Sequence, residues 1–327
     1  MKQEEIVAGI DLGGTFTKFG LVNRFGELIA FKAIPTDKKL HYELFLKKVA
    51  GEIEQMIQSE GNLYSLSCIS IGAPTGSQFE GTIDSPSNLN WPKKLPVADI
   101  LKNLFNLPAV VVNDANAAAV GEMLFGVARG KKNFMVVTLG TGLGCGVVID
   151  GKLLLGRNGH AGELGHVRAI ESGRLCGCGR YGCLETYASA TGIVRTVLEM
   201  EPMKKSDSLL SCYDAGTLSA KIITKAALSG DKVAIEAFDF TGKILGAALS
   251  DAVALLNPEL IILTGGLAKS GDLILQPTNH YLKKNLLNIY HDTVEVKLSE
   301  ISTKNTAILG LAATAWLHLE ELNRVTV

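Results

Sequence analysis

The sequence predicts an α/β protein with mixed sheets flanked by helices, folded as two domains. Three observations carry that expectation. Strand-like apolar runs alternate with helical patterns along the chain. Two blocks, residues 6–31 and 134–155, repeat one design: a strand, a loop of small residues, a second strand, a turn and a third strand. The 327 residues also suffice for two hydrophobic cores without help from disulfides.

Each element has its own signal. In the first block the tight turn falls at Phe25-Gly26 and in the second at Asp150-Gly151, the stronger hairpin mark, because glycine tolerates the positive φ that such turns require. Phe45, Val49, Ile53, Met56 and Ile57 make one helical face. Residues 67–71 and 109–112 are short apolar strands, each ending at glycine or polar residues. Helices are expected over 115–125, 188–200, 220–228 and 233–256, the last stopped by Asn257-Pro258. Residues 260–263 form a strand that delivers Thr264, Gly265 and Gly266, residues 294–298 another strand, and 307–319 a closing helix. The division is placed near residue 115. Residues 1–115 form a small α/β domain, joined by the C-terminal helix over 305–327, and 116–304 form a larger one.

Composition excludes several classes of function. The net charge is −1, no run of five like charges occurs and aromatic residues make up 6%, so no nucleic-acid face is expected. The longest apolar stretch, 134–155, is broken by five glycines and reads as a core hairpin, not a membrane span. The first residues lack the basic and apolar segments of a signal peptide, which fits a reducing cytoplasm. Cys68, Cys145 and Cys212 lie isolated in apolar stretches and are expected to be buried packing residues.

The other three cysteines are clustered. Cys176, Cys178 and Cys183 follow a C-x-C-x4-C spacing, with His166 ten residues upstream of the first. One nitrogen and three sulfurs are what tetrahedral zinc accepts, and four protein ligands leave no open position, so the ion would be structural. Gly177, Gly179 and Gly182 are expected to take positive φ so that the short loop turns its thiolates to one point.

Three glycine loops suggest a split nucleotide site. Asp11-Leu12-Gly13-Gly14-Thr15 follows a strand, and Gly13 and Gly14 leave backbone N–H groups open to an anion. Asp11 would repel phosphate directly, so its expected role is to hold Mg²⁺, with Thr15 and Lys18 donating to phosphoryl oxygens. Thr138, Gly140, Thr141 and Gly142 offer a second phosphate clamp, and Gly265-Gly266 a place for a base or ribose. No G-x-x-x-x-G-K-[ST] occurs, and the G-x-G-x-x-G at Gly177 is interleaved with the cysteines, so P-loop and dinucleotide readings are set aside. Asn113-Asp114 lies between a strand and a helix. Either residue suits a helix cap, yet beside three phosphate loops Asp114 reads better as the general base that accepts a sugar hydroxyl proton. The turn 72–76 and the polar loop 85–92 are candidates for lining a sugar pocket.

Together, DLGGT at 11–15, GAPTG at 72–76, ND at 113–114, LGTGLG at 139–144, ELGH at 163–166, CGCGRYGCLE at 176–185 and TGG at 264–266 resemble the ROK family of repressors, open reading frames and sugar kinases. The resemblance spans nearly the whole chain. It implies the two-domain actin-like ATPase (ribonuclease H-like) fold shared with hexokinases, with sugar and ATP meeting in the interdomain cleft, and a homodimer. It also implies Asp114 as catalytic base, and Asn113, Glu163, His166 and Glu185, with Gly72 and Asn88, as sugar ligands. His166 would then link metal and substrate.

The expected activity is ATP-dependent phosphorylation of a hexose, glucose to glucose 6-phosphate, with Mg²⁺ and a structural Zn²⁺. Kinases for N-acetylmannosamine, N-acetylglucosamine, fructose or allose are the alternatives. A repressor would need an N-terminal DNA-binding domain, for which DLGGT at residue 11 leaves no room, and a silent sugar-binding module would not need Asp11 and Asp114.

Overall fold

The computed structural model describes residues 3–84, 91–200, 207–301 and 305–325. Along the chain the elements are β1 (Glu4–Leu12), β2 (Phe16–Asn23), β3 (Leu28–Pro35), α1 (Tyr42–Ser59), β4 (Tyr64–Gly72), β5 (Gly76–Ser77), β6 (Thr82–Asp84), β7 (Lys94–Leu95), α2 (Val97–Phe105), β8 (Ala109–Val112) and α3 (Asp114–Phe125). There follow β9 (Phe134–Leu139), β10 (Leu143–Ile149), β11 (Lys152–Leu153), α4 (Ala190–Glu199), α5 (Ala220–Leu228), α6 (Lys232–Leu256), β12 (Leu260–Thr264), α7 (Asp272–Asn285), β13 (Glu295–Leu298) and α8 (Thr306–Val325).

Two compact units result: residues 1–130, 155–160 and 300–327 form one, and 131–154 with 161–299 form the other. The division expected after residue 115 therefore stands beside one at Gly130. The physical reason is that α3 belongs to the first core. Its Ala117 and Val112 at the end of β8 pack with Leu311 of α8.

Each unit is built on a five-stranded mixed sheet of the same design. In the first the order is β3-β2-β1-β4-β8, with β1 antiparallel to β2 and parallel to β4. The second repeats this as β11-β10-β9-β12-β13. The repeated sequence blocks are thus the two antiparallel halves of these sheets. Parallel strands buried on both faces need unbroken apolar runs, and β8 and β12 are buried at every position.

Helices close the faces. Phe45, Leu46, Val49, Ala50, Ile53 and Met56 of α1 are buried and Ile57 is partly buried, so the face read from sequence is widened by Leu46 and Ala50. At the end of α6, Asn257 takes a left-handed conformation (φ 44°) directly before Pro258, a stop that satisfies the last turn and blocks its continuation. Asp150 and Gly151 both adopt positive φ, as a two-residue hairpin demands. Cys68 and Cys145 are buried as expected, but Cys212 is exposed: it sits in a loop at residues 207–218, where its thiol faces the Leu209 carbonyl. No helix among the described residues is long and apolar enough to cross a membrane.

Candidate active site and metal cluster

In the first unit the parallel strands β1, β4 and β8 end in one row. The register pairs Asp11 with Gly72, and Gly72 with Val112, which is followed by Asn113 and Asp114. Ligands of open α/β sheets bind at such carboxyl ends, where the loops are free of the ladder. Topology thus gathers the DLGGT loop, the GAPTG turn and the Asn-Asp pair at one edge.

Each has local support. Asn113 is the N-cap of α3: its Oδ1 accepts from Ala115 N (2.9 Å) and Asn116 N (3.4 Å), while its Nδ2 donates to the Pro74 carbonyl (2.6 Å). Asn113 is therefore a structural cap that ties the 72–76 turn to α3. Asp114 is the first residue of the helix and is exposed, with Oδ1 accepting from Ala115 N (2.8 Å). The N-terminus of a helix there presents the positive end of its dipole to that side chain. Asp11 faces Lys18, its partner across the β1–β2 pair, with Nζ 3.7 Å from Oδ2. Burial pushes the Asp11 carboxyl above its ordinary range, and Lys18 opposes that shift.

A residue overlooked in the sequence braces this loop. The buried Thr36 hydroxyl donates to the Gly13 carbonyl (2.7 Å) and lies 2.8 Å from the Thr17 hydroxyl, while Thr36 N donates to the Thr15 carbonyl (2.9 Å). Thr36 comes from the end of β3, distant in sequence, so no local pattern marked it. Asn88 lies outside the described residues.

In the second unit two glycine loops are neighbours. Thr138 of β9 pairs with Thr264 of β12, so the loop 140–142 and Gly265-Gly266 follow adjacent strands. Gly265 has φ +94°, and a Cβ there would lie 2.8 Å from the Leu139 backbone, so only glycine fits. Gly266 has open space around it. The Thr138 hydroxyl accepts from Gly144 N (3.2 Å), which holds the hairpin closed.

The cysteine loop forms a tight cluster. One ligand atom from each of His166, Cys176, Cys178 and Cys183 lies within 4.8 Å of the others. Cys178 and Cys183 sulfurs are 3.6 Å apart, and Cys176 Sγ is 3.7 Å from His166 Nδ1. Gly179 and Gly182 take positive φ as expected, whereas Gly177 does not. The sharp bend is concentrated at Gly182, where a Cβ would fall 1.7 Å from the Ile170 carbonyl oxygen. The Arg180 backbone N–H and then its guanidinium hold the Cys178 thiol below its ordinary range, and burial pushes the Cys176 thiol up.

Two carboxylates flank the histidine. Glu185 Oε1 is 2.9 Å from Cys176 Sγ and 3.6 Å from His166 Nδ1, and Glu163 Oε2 is 3.9 Å from His166 Nε2. The structure thus brings Glu163, His166 and Glu185 together, with one imidazole nitrogen toward the thiols and the other toward Glu163. Arg174 was not expected from sequence. Its guanidinium, nearly buried, pairs with Glu199 (2.7 Å), donates to the Thr186 carbonyl (2.6 Å) and stacks over Tyr187 at 4.4 Å. This staples the cysteine loop to α4.

Two sheets of one design, each presenting glycine loops at the carboxyl ends of parallel strands, make this a protein of the actin-like ATPase fold. More particularly, the chain belongs to the ROK family, whose model matches residues 7–318. Among its relatives is a glucokinase of Halalkalibacterium halodurans, 37% identical over 319 residues that cover 96% of this chain and 95% of that protein. A crystal structure of a ROK family glucokinase from Streptomyces griseus, in complex with glucose and AMPPNP, superposes with a TM-score of 0.77 at 32% identity, covering 95% of this chain and 99% of the other. A ROK family transcriptional regulator, a homologue of the E. coli MLC protein, superposes with a TM-score of 0.84 at 28% identity, covering 95% and 77%.

Proposed function

We propose that this chain transfers the γ-phosphoryl group of ATP to a hydroxyl of glucose, giving glucose 6-phosphate. The observation that carries the proposal is the row in which Asp11, Gly72 and the Asn113-Asp114 pair end three parallel strands. Similarity to glucokinases across nearly the full length supports it and points to glucose among hexoses.

Asp114 is the general base. A sugar hydroxyl does not ionise at neutral pH, so its proton must pass to a carboxylate as the O–P bond forms. Asn113, capping α3 and held to Pro74, fixes where that carboxylate points. Asn113, Glu163, His166 and Glu185 hold sugar hydroxyls, with Gly72 and Asn88 as further contacts. Gly13, Gly14, Thr15 and Lys18 in the first unit, and Thr138, Gly140, Thr141, Gly142, Gly265 and Gly266 in the second, hold the nucleotide through backbone N–H groups and hydroxyls.

The residues present fit two metal ions. Asp11 is a partly buried carboxyl whose burial disfavours its charge, and Mg²⁺ would relieve that cost while neutralising phosphate charge. His166, Cys176, Cys178 and Cys183 supply the nitrogen and three sulfurs of a closed tetrahedral site, and sulfurs 3.6 Å apart match the edge of a tetrahedron with Zn–S bonds of ~2.3 Å. Zinc would stabilise the loop that carries Glu185 and supply no chemistry to the transfer. We further place the enzyme in the cytoplasm, where its six free thiols stay reduced, and take it to act as a homodimer without nucleic acid.

A coupled ADP-release assay over a panel of sugars tests the reading, with glucose expected to give the highest kcat/KM. Absence of ADP release with every sugar would overturn it. A sugar-responsive regulator is the second reading, favoured by the likeness to the ROK transcriptional regulator, and the same assay separates the two.

A further inference from the structure

We propose that Thr191 is a positioning residue that aims the glycine loop 140–142 at the phosphates and joins it to the sugar-binding segment, so that sugar and nucleotide binding are coupled within the second unit. This rests on the kinase reading above and adds to it a residue and a coupling route.

Five contacts carry the inference. Ser189, the N-cap of α4, donates from its hydroxyl to the Glu185 carbonyl (2.6 Å) and lies 3.1 Å from the Thr191 hydroxyl. Thr191 Oγ1 donates to the Thr141 carbonyl (2.7 Å), and Ala190 N donates to the Gly140 carbonyl (2.8 Å). A Cβ on Gly142 would lie 2.6 Å from Glu185 Oε2, so the loop and that carboxylate are already in contact.

Peptide geometry gives the first bond its meaning. In a trans peptide the C=O and the following N–H point in opposite directions. Turning the Gly140 and Thr141 carbonyls toward the start of α4 therefore turns the Thr141 and Gly142 N–H groups away from it, as a pair of donors for an anion. Release of the Thr141 carbonyl would leave the Gly142 N–H free to rotate. The second consequence is coupling. Glu185 and the loop are both tied to the start of α4, the one through Ser189 and the other through Thr191, so a ligand that orders one end favours ordering of the other.

The experiment uses the full zinc-loaded chain with T191V, which removes the donor, and T191S, which keeps it. T191V is expected to raise the KM for ATP by roughly three- to tenfold, the loss of about one hydrogen bond, with kcat far less affected, and T191S to restore the parent value. Calorimetry should show glucose binding more tightly in the presence of AMPPNP for the parent and T191S, with that gain reduced in T191V. A parent-like KM for ATP in T191V, or a T191S as impaired as T191V, overturns the proposal. A parent that phosphorylates no sugar sinks the kinase reading instead, and AMPPNP affinity by calorimetry still reads out Thr191. Should T191V fail to fold, T191A, which also removes the hydroxyl, carries the test through the same two measurements. A T191A with the parent's KM for ATP would overturn the proposal.

Discussion

Gly121 of α3 and Gly310 of α8 cross backbone to backbone: a Cβ on Gly121 would lie 3.0 Å from the Gly310 Cα, and one on Gly310 would lie 2.6 Å from the Ala117 carbonyl oxygen. Two helices from distant parts of the chain meet here without intervening side chains. The crossing seats α3, and α3 carries Asp114 at its first position. The last helix thus positions the proposed catalytic base.

Substituting Gly310→Ala should force α3 and α8 apart. Overpacking at such a site costs about 1–3 kcal/mol, so the melting midpoint should fall, and kcat should fall with it because Asp114 moves. A melting curve matching the parent would show that the crossing has slack.

Asp114→Asn removes the proton acceptor and keeps the shape of the side chain. The expected loss in kcat is ~10²–10⁴, with glucose affinity by calorimetry close to the parent. Near-parent turnover would disprove the general-base assignment.

Asp11→Asn tests the magnesium ligand through a pH-dependent signature. Burial raises the folded-state pKa above the ordinary 3.8. The folded protein therefore holds this proton more tightly than the unfolded chain does. Stability from this group is fully present at low pH and is lost as pH rises through the raised value. The Lys18 contact is half exposed and adds little. At neutral pH the free Asn variant should melt above the parent, and the gap should close as pH falls toward the ordinary carboxyl range, while activity drops by about 10²-fold or more. A variant that melts below the parent at pH 7 would contradict the burial argument.

Cys178→Ser removes the exposed ligand of the cluster, whose pKa Arg180 already lowers. Zinc content by atomic absorption should fall from stoichiometric toward zero, and the melting midpoint should drop. Closed sites of this type are worth up to ~10–16 kcal/mol. The KM for glucose should rise because Glu185 contacts Cys176. A fully folded, metal-free parent with unchanged sugar affinity would remove the structural role of zinc.

Strands such as Ala109–Val112, where unbroken apolar runs meet glycine or polar stops, were legible from sequence because their signal is local. Helix α7 was not, since Pro277 sits inside it and proline argues against a helix interior. The sheet β5-β6-β7 escaped because strands of two or three residues have no periodicity to read. At the site, the glycine loops and the cysteine cluster stand out by composition. Thr36 and Arg174 do not, for a threonine or an arginine acquires its role only from the loop that folds onto it.

The sequence alone determined the fold class, the glycine loops, the four-ligand cluster and the pairing of Asn113 with Asp114, because each rests on residues close together in the chain. Tertiary structure alone decided that Asp11, Gly72 and Val112 share one row, that α3 belongs to the first unit, and that Glu185 touches the loop at Gly142. Strand register and helix crossings depend on contacts between distant segments, and one chain's local pattern contains no term for them.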